Sequence, residues 1–191
     1  KASVYGLDGP LLGWLESYLH NRRLQAVVGG QESSLHHIQA GVPQGSILGP
    51  TLFLLYVNDC EDTLPAGAEL ATYADDTTLY QCISATASIS DSAAQLQEAV
   101  DAVSHWGSKW KVTFEPSKSQ ALIIDHRKPP PAFPPVLFNG VTVPEEKEIK
   151  LLGIAFDSQL SYAAHLRAVA SKAAQRLHFL RKVAPLLDSS G

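Results

Sequence analysis

The feature that most constrains this chain is a pair of adjacent carboxylates, Asp75 and Asp76. They lie in the segment Ala-Thr-Tyr-Ala-Asp-Asp-Thr-Thr-Leu-Tyr-Gln, from Ala71 to Gln81. The flanking residues, 68–74 and 77–83, read as β-strands. Aspartate is depleted in strands, and neighbouring negative charges repel. A pair placed between two strands therefore belongs in a tight hairpin that needs charge at its tip, and a divalent cation would stabilise it. Neighbours in a regular strand point to opposite faces, so the two carboxylates are not expected to be equal. Asp75 is the expected direct ligand and Asp76 a weaker or outer one. Taken alone, such a pair is better explained as a solvated hairpin tip; with the Gly41–Gly49 loop upstream, the ligand reading is favoured.

The surrounding pattern predicts an α+β chain with an antiparallel sheet packed against helices. Leu11, Leu12, Leu15, Tyr18 and Leu19 recur at helical spacing over residues 10–20, with Pro10 in the first turn. Strands are expected at Leu24–Val28 and Leu35–Ala40 around the Gly29-Gly30 turn. A loop holding Gly41, Pro43, Gln44, Gly45 and Gly49 follows. It feeds a helix, roughly Pro50–Asp59, that is apolar nearly all round and is expected to be buried and central. Ser88 or Ser90 can cap a long helix reaching Trp110, with Ala93, Leu96, Val100, Val103 and Trp110 as its stripe. Trp106 and Trp110, at helical spacing, read as core. Ser119–Asp125 reads as a strand and Pro129–Pro135 as a loop. Asn139-Gly140 signals a hairpin within Val136–Val143. Glu148–Phe156 reads as one further strand, with Gly153 where another backbone could approach. The remainder is a helix ended by Pro185. Its apolar face is Leu166, Val169, Ala170, Ala173, Leu177 and Leu180.

Charge divides the chain. Residues 1–104 hold three Lys/Arg against twelve Asp/Glu, whereas residues 105–191 hold twelve against seven. From Ser158 to Leu187 there are five basic residues and no acidic one, so a polyanion would find its partner in the second half. A solvated helix face explains the charge equally simply. The lack of an apolar run of about 18 residues argues against a membrane span. Cys60 and Cys82 form neither a disulfide framework nor a zinc motif and read as buried thiols in a reducing compartment. The histidines show no ligand spacing. The absence of methionine, with Lys1 first, leads to the expectation that the sequence is an excerpt of a longer protein.

A set of ordered fragments resembles the reverse transcriptases of non-LTR (LINE-type) retrotransposons. The two principal ones are Gly41-Val-Pro-Gln-Gly-Ser-Ile-Leu-Gly-Pro-Thr-Leu-Phe53 and Tyr73-Ala-Asp-Asp76. Tyr5-Gly6 with Trp14 and Tyr18-Leu19 comes before them. Tyr56-Val-Asn-Asp59, Trp106-Gly-Ser-Lys-Trp110, Pro116-Ser-Lys-Ser119 and Leu151-Leu-Gly-Ile-Ala-Phe-Asp157 come between or after, in the family's order. The resemblance covers almost the whole chain.

It implies a partial polymerase palm over residues 1–157 and the start of a basic helical thumb over 158–191. It further implies an RNA-directed DNA polymerase acting on an RNA template, a DNA primer and dNTPs, in the cytoplasm and nucleus of a host cell. Asp75 and Asp76 would hold magnesium, as two ions, with manganese possible. Lys118 would protonate the leaving pyrophosphate. Gly41, Pro43, Gln44, Gly45 and Tyr73 would lie against the template and incoming nucleotide, and Leu151–Asp157 would be a hairpin in which Leu152 and Gly153 grip the primer. Arg167, Lys172 and Arg176 would contact phosphates without reading sequence. Glu115-Pro116 stands where the family often has Asn-Pro.

The family's further metal-binding Asp, in a Phe-Asp-like motif before the Tyr5-Gly6 region, finds no match, since Asp8 belongs to a turn. The same missing region would carry most of the fingers. The alternatives are a non-catalytic RNA-binding or decayed descendant, and an intron-encoded or telomeric polymerase. The 191 residues alone are expected not to extend a primer, and magnesium-dependent extension by them would refute this.

Overall fold

The computed structural model describes residues 1–84, 86–127 and 129–184. Pro185, the expected end of the last helix, lies outside them. A short 3-10 turn, Ala2–Tyr5, leads to α1 (Gly9–Leu19), which carries Pro10 in its first turn as expected. Four short strands follow: β1 (Arg22–Leu24), β2 (Val27–Val28), β3 (Gln31–Glu32) and β4 (His36–Ile38). β1 pairs with β4 and β2 with β3, both antiparallel, so the expected pair of strands is one hairpin interrupted in the middle. At the interruption the Ser33 hydroxyl accepts from the Ala26 amide at 3.0 Å, replacing a ladder bond.

α2 (Gly49–Val57) runs into a 3-10 helix, Asn58–Thr63. The expectation of a helix buried on all sides is corrected. Only Gly49 and Val57 of α2 are buried, and Leu54 is 49 % exposed. An all-round apolar surface asks for cover on every side, and among the described residues the core lies against one side only. β5 (Ala68–Tyr73) and β6 (Asp76–Gln81) then form the antiparallel hairpin around the aspartates.

α3 (Ile89–Trp110) is capped by Ser88, whose side chain accepts from the Asp91 amide. It organises the core. Val57, Cys60, Val103 and Trp106 form the buried cluster, with Phe53, Leu64, Leu70, Trp110, Val112 and Phe114 packed around it. Trp106 is 2 % exposed, and its indole N–H donates to Asp59 Oδ1 at 2.9 Å. A buried indole N–H needs such an acceptor. Lys1 Nζ donates to the same oxygen at 2.5 Å and sits 4.0 to 4.7 Å from the ring centroids of Tyr56, Trp106 and Trp110. Burial alone would raise the Asp59 pKa. The hydrogen bonds from Lys1 and Trp106, with the lysine charge, outweigh it and hold the carboxyl below its ordinary value. Next to it, burial pushes the Cys60 thiol up to about 11, and the Asp59 carboxylate adds to the effect. Cys60 is thus a buried thiol as expected, but Cys82 is exposed.

Beyond a 3-10 turn, Pro116–Lys118, the expected strand Ser119–Asp125 is absent. That stretch makes one parallel bridge, at Ala121 with Glu145, through the Ala121 amide to the Pro144 carbonyl and the Glu146 amide to the Ala121 carbonyl. Pro144 has no N–H to extend the ladder. β7 (Leu137–Phe138) and β8 (Val141–Thr142) form the Asn139-Gly140 hairpin, with φ of 50° and 78° at its two turn residues. Gln97 of α3 pairs with Leu137 as a strand would, donating to its carbonyl at 2.7 Å and accepting from its amide at 2.8 Å.

β9 (Glu148–Leu151) and β10 (Ile154–Asp157) replace the single strand that the residue pattern presented over 148–156, and form a hairpin as the family resemblance implied for Leu151–Asp157. Leu152 and Gly153 turn the chain between them with φ of 48° and 87°. α4 (Ala163–Val183) follows, and none of its residues is buried.

The described residues therefore form five two-stranded antiparallel ladders rather than one sheet. The expected mixture of helices and antiparallel strands holds, while the single sheet does not. Two-residue turns join neighbouring strands locally, whereas wider pairing needs partner strands that alternation of side chains cannot name.

Gly107 provides a test of the core. A Cβ built there would stand 2.7 Å from the Val112 carbonyl oxygen and 2.9 Å from the Phe114 ring. Alanine normally favours a helix by about 1 kcal/mol over glycine. Overpacking here should reverse that sign, and Gly107→Ala should destabilise by about 1–3 kcal/mol. Urea unfolding measures it. An unchanged or raised midpoint would show that residues 112–114 do not close over α3.

Candidate active site

The aspartate hairpin is anchored at its base and free at its tip. Leu70 packs against the Trp106 cluster, and Tyr80 donates to Glu69 across the ladder at 2.5 Å. Residues 71–77 are all exposed. Tyr73 pairs with Asp76 as the last rung, so the turn is Ala74-Asp75, with Ala74 at φ 54°. Asp75 is thus a turn residue and Asp76 the first residue of β6. The two are unequal because one leaves the ladder and the other stays in it, and not because both alternate along a strand.

Neither aspartate forms an ion pair among the described residues, where the pairs are Lys1–Asp59 and Arg127–Asp125. Both carboxylates stand exposed at one turn, and no group of three or more His, Cys, Asp and Glu gathers among the described residues. Magnesium commonly takes one or two carboxylates and completes its shell with water and substrate phosphate, so the donor chemistry fits as a partial ligand set. Lys118 ends the 3-10 turn Pro116–Lys118, is exposed, and makes no ion pair with either aspartate.

The loop between β4 and α2 is held by its own polar groups. Gly41 and Gly45 have φ of 79° and 80°, a region that favours glycine. Ser46 Oγ donates to the Pro43 carbonyl at 2.7 Å and accepts from the Gly49 amide at 3.0 Å. Gln44 is exposed, and so is Ile47. At the candidate primer grip, Leu152 is 54 % exposed at the tip of the β9–β10 hairpin beside Gly153. Arg167, Lys172 and Arg176 lie on α4 and are exposed. Leu166, Val169, Leu177 and Leu180, its apolar face, are exposed as well.

Comparison with known proteins identifies the family. Residues 3–156 match the family model described as "Reverse transcriptase (RNA-dependent DNA polymerase)", and the chain belongs to that family. It is similar to mobile-element proteins, among them three of Drosophila melanogaster. It is 33 % identical over 178 residues to "Probable RNA-directed DNA polymerase from transposon BS", covering 90 % of this chain and 19 % of the relative. It is 32 % identical over 170 residues to "Probable RNA-directed DNA polymerase from transposon X-element", covering 87 % and 18 %. It is 33 % identical over 158 residues to "RNA-directed DNA polymerase from mobile element jockey", covering 80 % and 17 %. The LINE-type resemblance is thereby borne out. The chain spans less than a fifth of the length of these relatives. No solved structure matches it. No helix among the described residues is long and apolar enough to cross a membrane.

Sequence reasoning gave no role to Asp157, the last residue of the Leu-Gly-Ile-Ala-Phe-Asp segment. Its carboxylate accepts from the amides of Gln159, Ser161 and Tyr162 at 3.0, 3.0 and 2.8 Å, and from the Ser161 hydroxyl at 2.9 Å. It thereby shapes the turn that joins β10 to α4, where Leu160 and Tyr162 have φ of 51° and 54°. An Asp at the end of a strand, followed by Ser-Gln-Leu-Ser, is the local signal that could have revealed it.

Hydrogen bonding led by the Ser161 amide holds the Asp157 pKa below its ordinary 3.8. Its contribution to stability is complete above 3.8 and is lost as pH falls through the lower folded value. NMR titration should move the Gln159, Ser161 and Tyr162 amides together, with a midpoint below 3.8, and Asp157→Asn should remove the transition. A midpoint at or above 3.8 would take away its role in shaping the turn.

Proposed function

We propose that this chain is the palm segment, with the start of the thumb, of an RNA-directed DNA polymerase from a LINE-type element. The palm comprises residues 1–157 and the basic helical start of the thumb residues 158–191. The single observation that supports this most is the pair Asp75 and Asp76 at the exposed turn of a hairpin, within a chain of the reverse transcriptase family.

The reaction is attack of a primer 3′-hydroxyl on the α-phosphate of a dNTP. A P–O bond to the primer forms, the bond to the β-phosphate breaks, and pyrophosphate leaves while the hydroxyl proton is lost. Asp75, from the turn, would hold magnesium directly and Asp76, from the first rung of β6, would support it; two such ions, or manganese in their place, would activate the hydroxyl and stabilise the charge on the leaving group. Lys118 donates a proton to pyrophosphate. The Gly41, Pro43, Gln44 and Gly45 loop and Tyr73 orient the templating base and the nucleotide. Tyr73, 67 % exposed, has an open ring to offer. Leu152 and Gly153 place the primer end. Arg167, Lys172 and Arg176 bind the phosphates of the RNA template and DNA primer without regard to sequence. Positioning of the reactants supplies a further large part of the rate. The protein works inside the host cell, in the cytoplasm and nucleus. The retained aspartates speak against a decayed remnant.

In the intact protein, Asp75→Ala should abolish primer extension while circular dichroism and the unfolding midpoint stay unchanged. Asp76→Ala should weaken magnesium affinity by roughly 10- to 100-fold, read as a higher magnesium concentration for half-maximal extension, as removal of an outer partner of a metal does. Extension retained by Asp75→Ala would remove the ligand assignment.

A further inference from the structure

The Gly41–Gly49 loop lacks regular structure, yet both of its ends are tied by side chains outside the Pro-Gln-Gly motif. At the entry, Arg22 on β1 reaches past the last rung of the β1–β4 ladder, Arg22 with Ile38. Its guanidinium donates to the carbonyls of Ala40, at 3.4 Å, and of Gly41. The same side chain donates through Nε to the Leu19 carbonyl at the end of α1, at 3.2 Å. One planar group thus links a helix end to the start of the loop, a geometry suited to the fixed fork of arginine and not to the single point of a lysine.

At the exit, the Ser46 hydroxyl uses both of its capacities, donating to Pro43 and accepting from Gly49. Gly49 is buried, and a Cβ there would meet the Pro43 carbonyl oxygen and Ser46 Oγ, each at 2.9 Å. The closure between Pro43 and Gly49 therefore needs both the serine hydroxyl and the absent side chain. Between the two ties, Gln44 stands exposed, with its amide available to donate and accept.

We propose that Arg22 and Ser46 are positioning residues that hold the loop at its two ends and so set the place of Gln44 against the incoming nucleotide. The part of this that concerns the nucleotide rests on the polymerase reading above. A loop already ordered loses less conformational freedom when the nucleotide binds. Loosening it should act on nucleotide binding while leaving the grip on the template–primer duplex alone.

The test uses the intact protein with Ser46→Ala, Ser46→Thr and Arg22→Lys. Hydrogen exchange of the Gly49 amide should quicken by roughly tenfold in Ser46→Ala, the scale expected for one lost hydrogen bond. It should return toward the wild-type rate in Ser46→Thr, which keeps the hydroxyl. Primer extension should show a dNTP KM raised by about tenfold in Ser46→Ala and in Arg22→Lys, with the template–primer Kd within about twofold of wild type. Ser46→Thr should recover most of the KM. The proposal is overturned if the Gly49 amide exchanges at the wild-type rate in Ser46→Ala. It is equally overturned if KM stays constant while kcat and duplex affinity fall together, which is the mark of general damage. A wild-type protein that incorporates no dNTP would defeat the polymerase reading instead, and the exchange rates would still decide whether the serine holds the loop.

Discussion

The structure depends on the hydrogen bond from the buried Trp106 indole to Asp59. It joins two segments 47 residues apart in sequence, and it satisfies a donor that would otherwise be desolvated without a partner. Asp59 also receives the Lys1 ammonium, which lies over three aromatic rings, so residues from the start of the chain, the end of α2 and the end of α3 meet at one carboxylate. Leu70 rests on the same cluster. The base of the aspartate hairpin is thus seated on the best-packed part of the molecule, and its tip projects from a fixed support.

This arrangement separates tasks along the chain. At the core, Asp59 is held ionised by Lys1 and Trp106, and Cys60 is held neutral by burial and by the Asp59 charge. The residues proposed for the chemistry, Asp75, Asp76, Gln44, Lys118 and the basic residues of α4, are all exposed. For the aspartates, the loop and α4, the geometry is fixed by residues other than the groups themselves. Leu70 does this for the aspartates, Arg22 and Ser46 for the loop, and Asp157 for the approach to α4. The apolar face of α4 is left uncovered among the described residues, since none of its residues is buried.

Much of the local structure was legible because its causes are local. Ser88 capping α3, Pro10 opening α1, the turn at Asn139-Gly140 and the aspartate hairpin all follow from backbone preferences of a few adjacent residues. The errors arose where a cause was distant or where a turn lacked its usual residues. Leu152-Gly153 turns the chain in what alternation presented as one strand, because leucine seldom adopts a positive φ. Ser119–Asp125 has strand composition and finds only one bridge. α2 has the composition of a central helix and is covered on one side. Cys82 is exposed although it resembles Cys60 in kind.

By itself the sequence determined the class of the chain and the identity of its candidate chemistry, because ordered motifs and the hard-oxygen donors of Asp75-Asp76 are properties of residue type and spacing. Only the tertiary structure decided that Asp75 leaves the ladder while Asp76 stays in it, that Ser46 and Arg22 tie the loop, and that Asp157 shapes the joint before α4. Those outcomes depend on which donor meets which acceptor. Pairings such as Arg22 with Gly41 or Asp59 with Trp106 come into being only when the backbone has brought separate segments together.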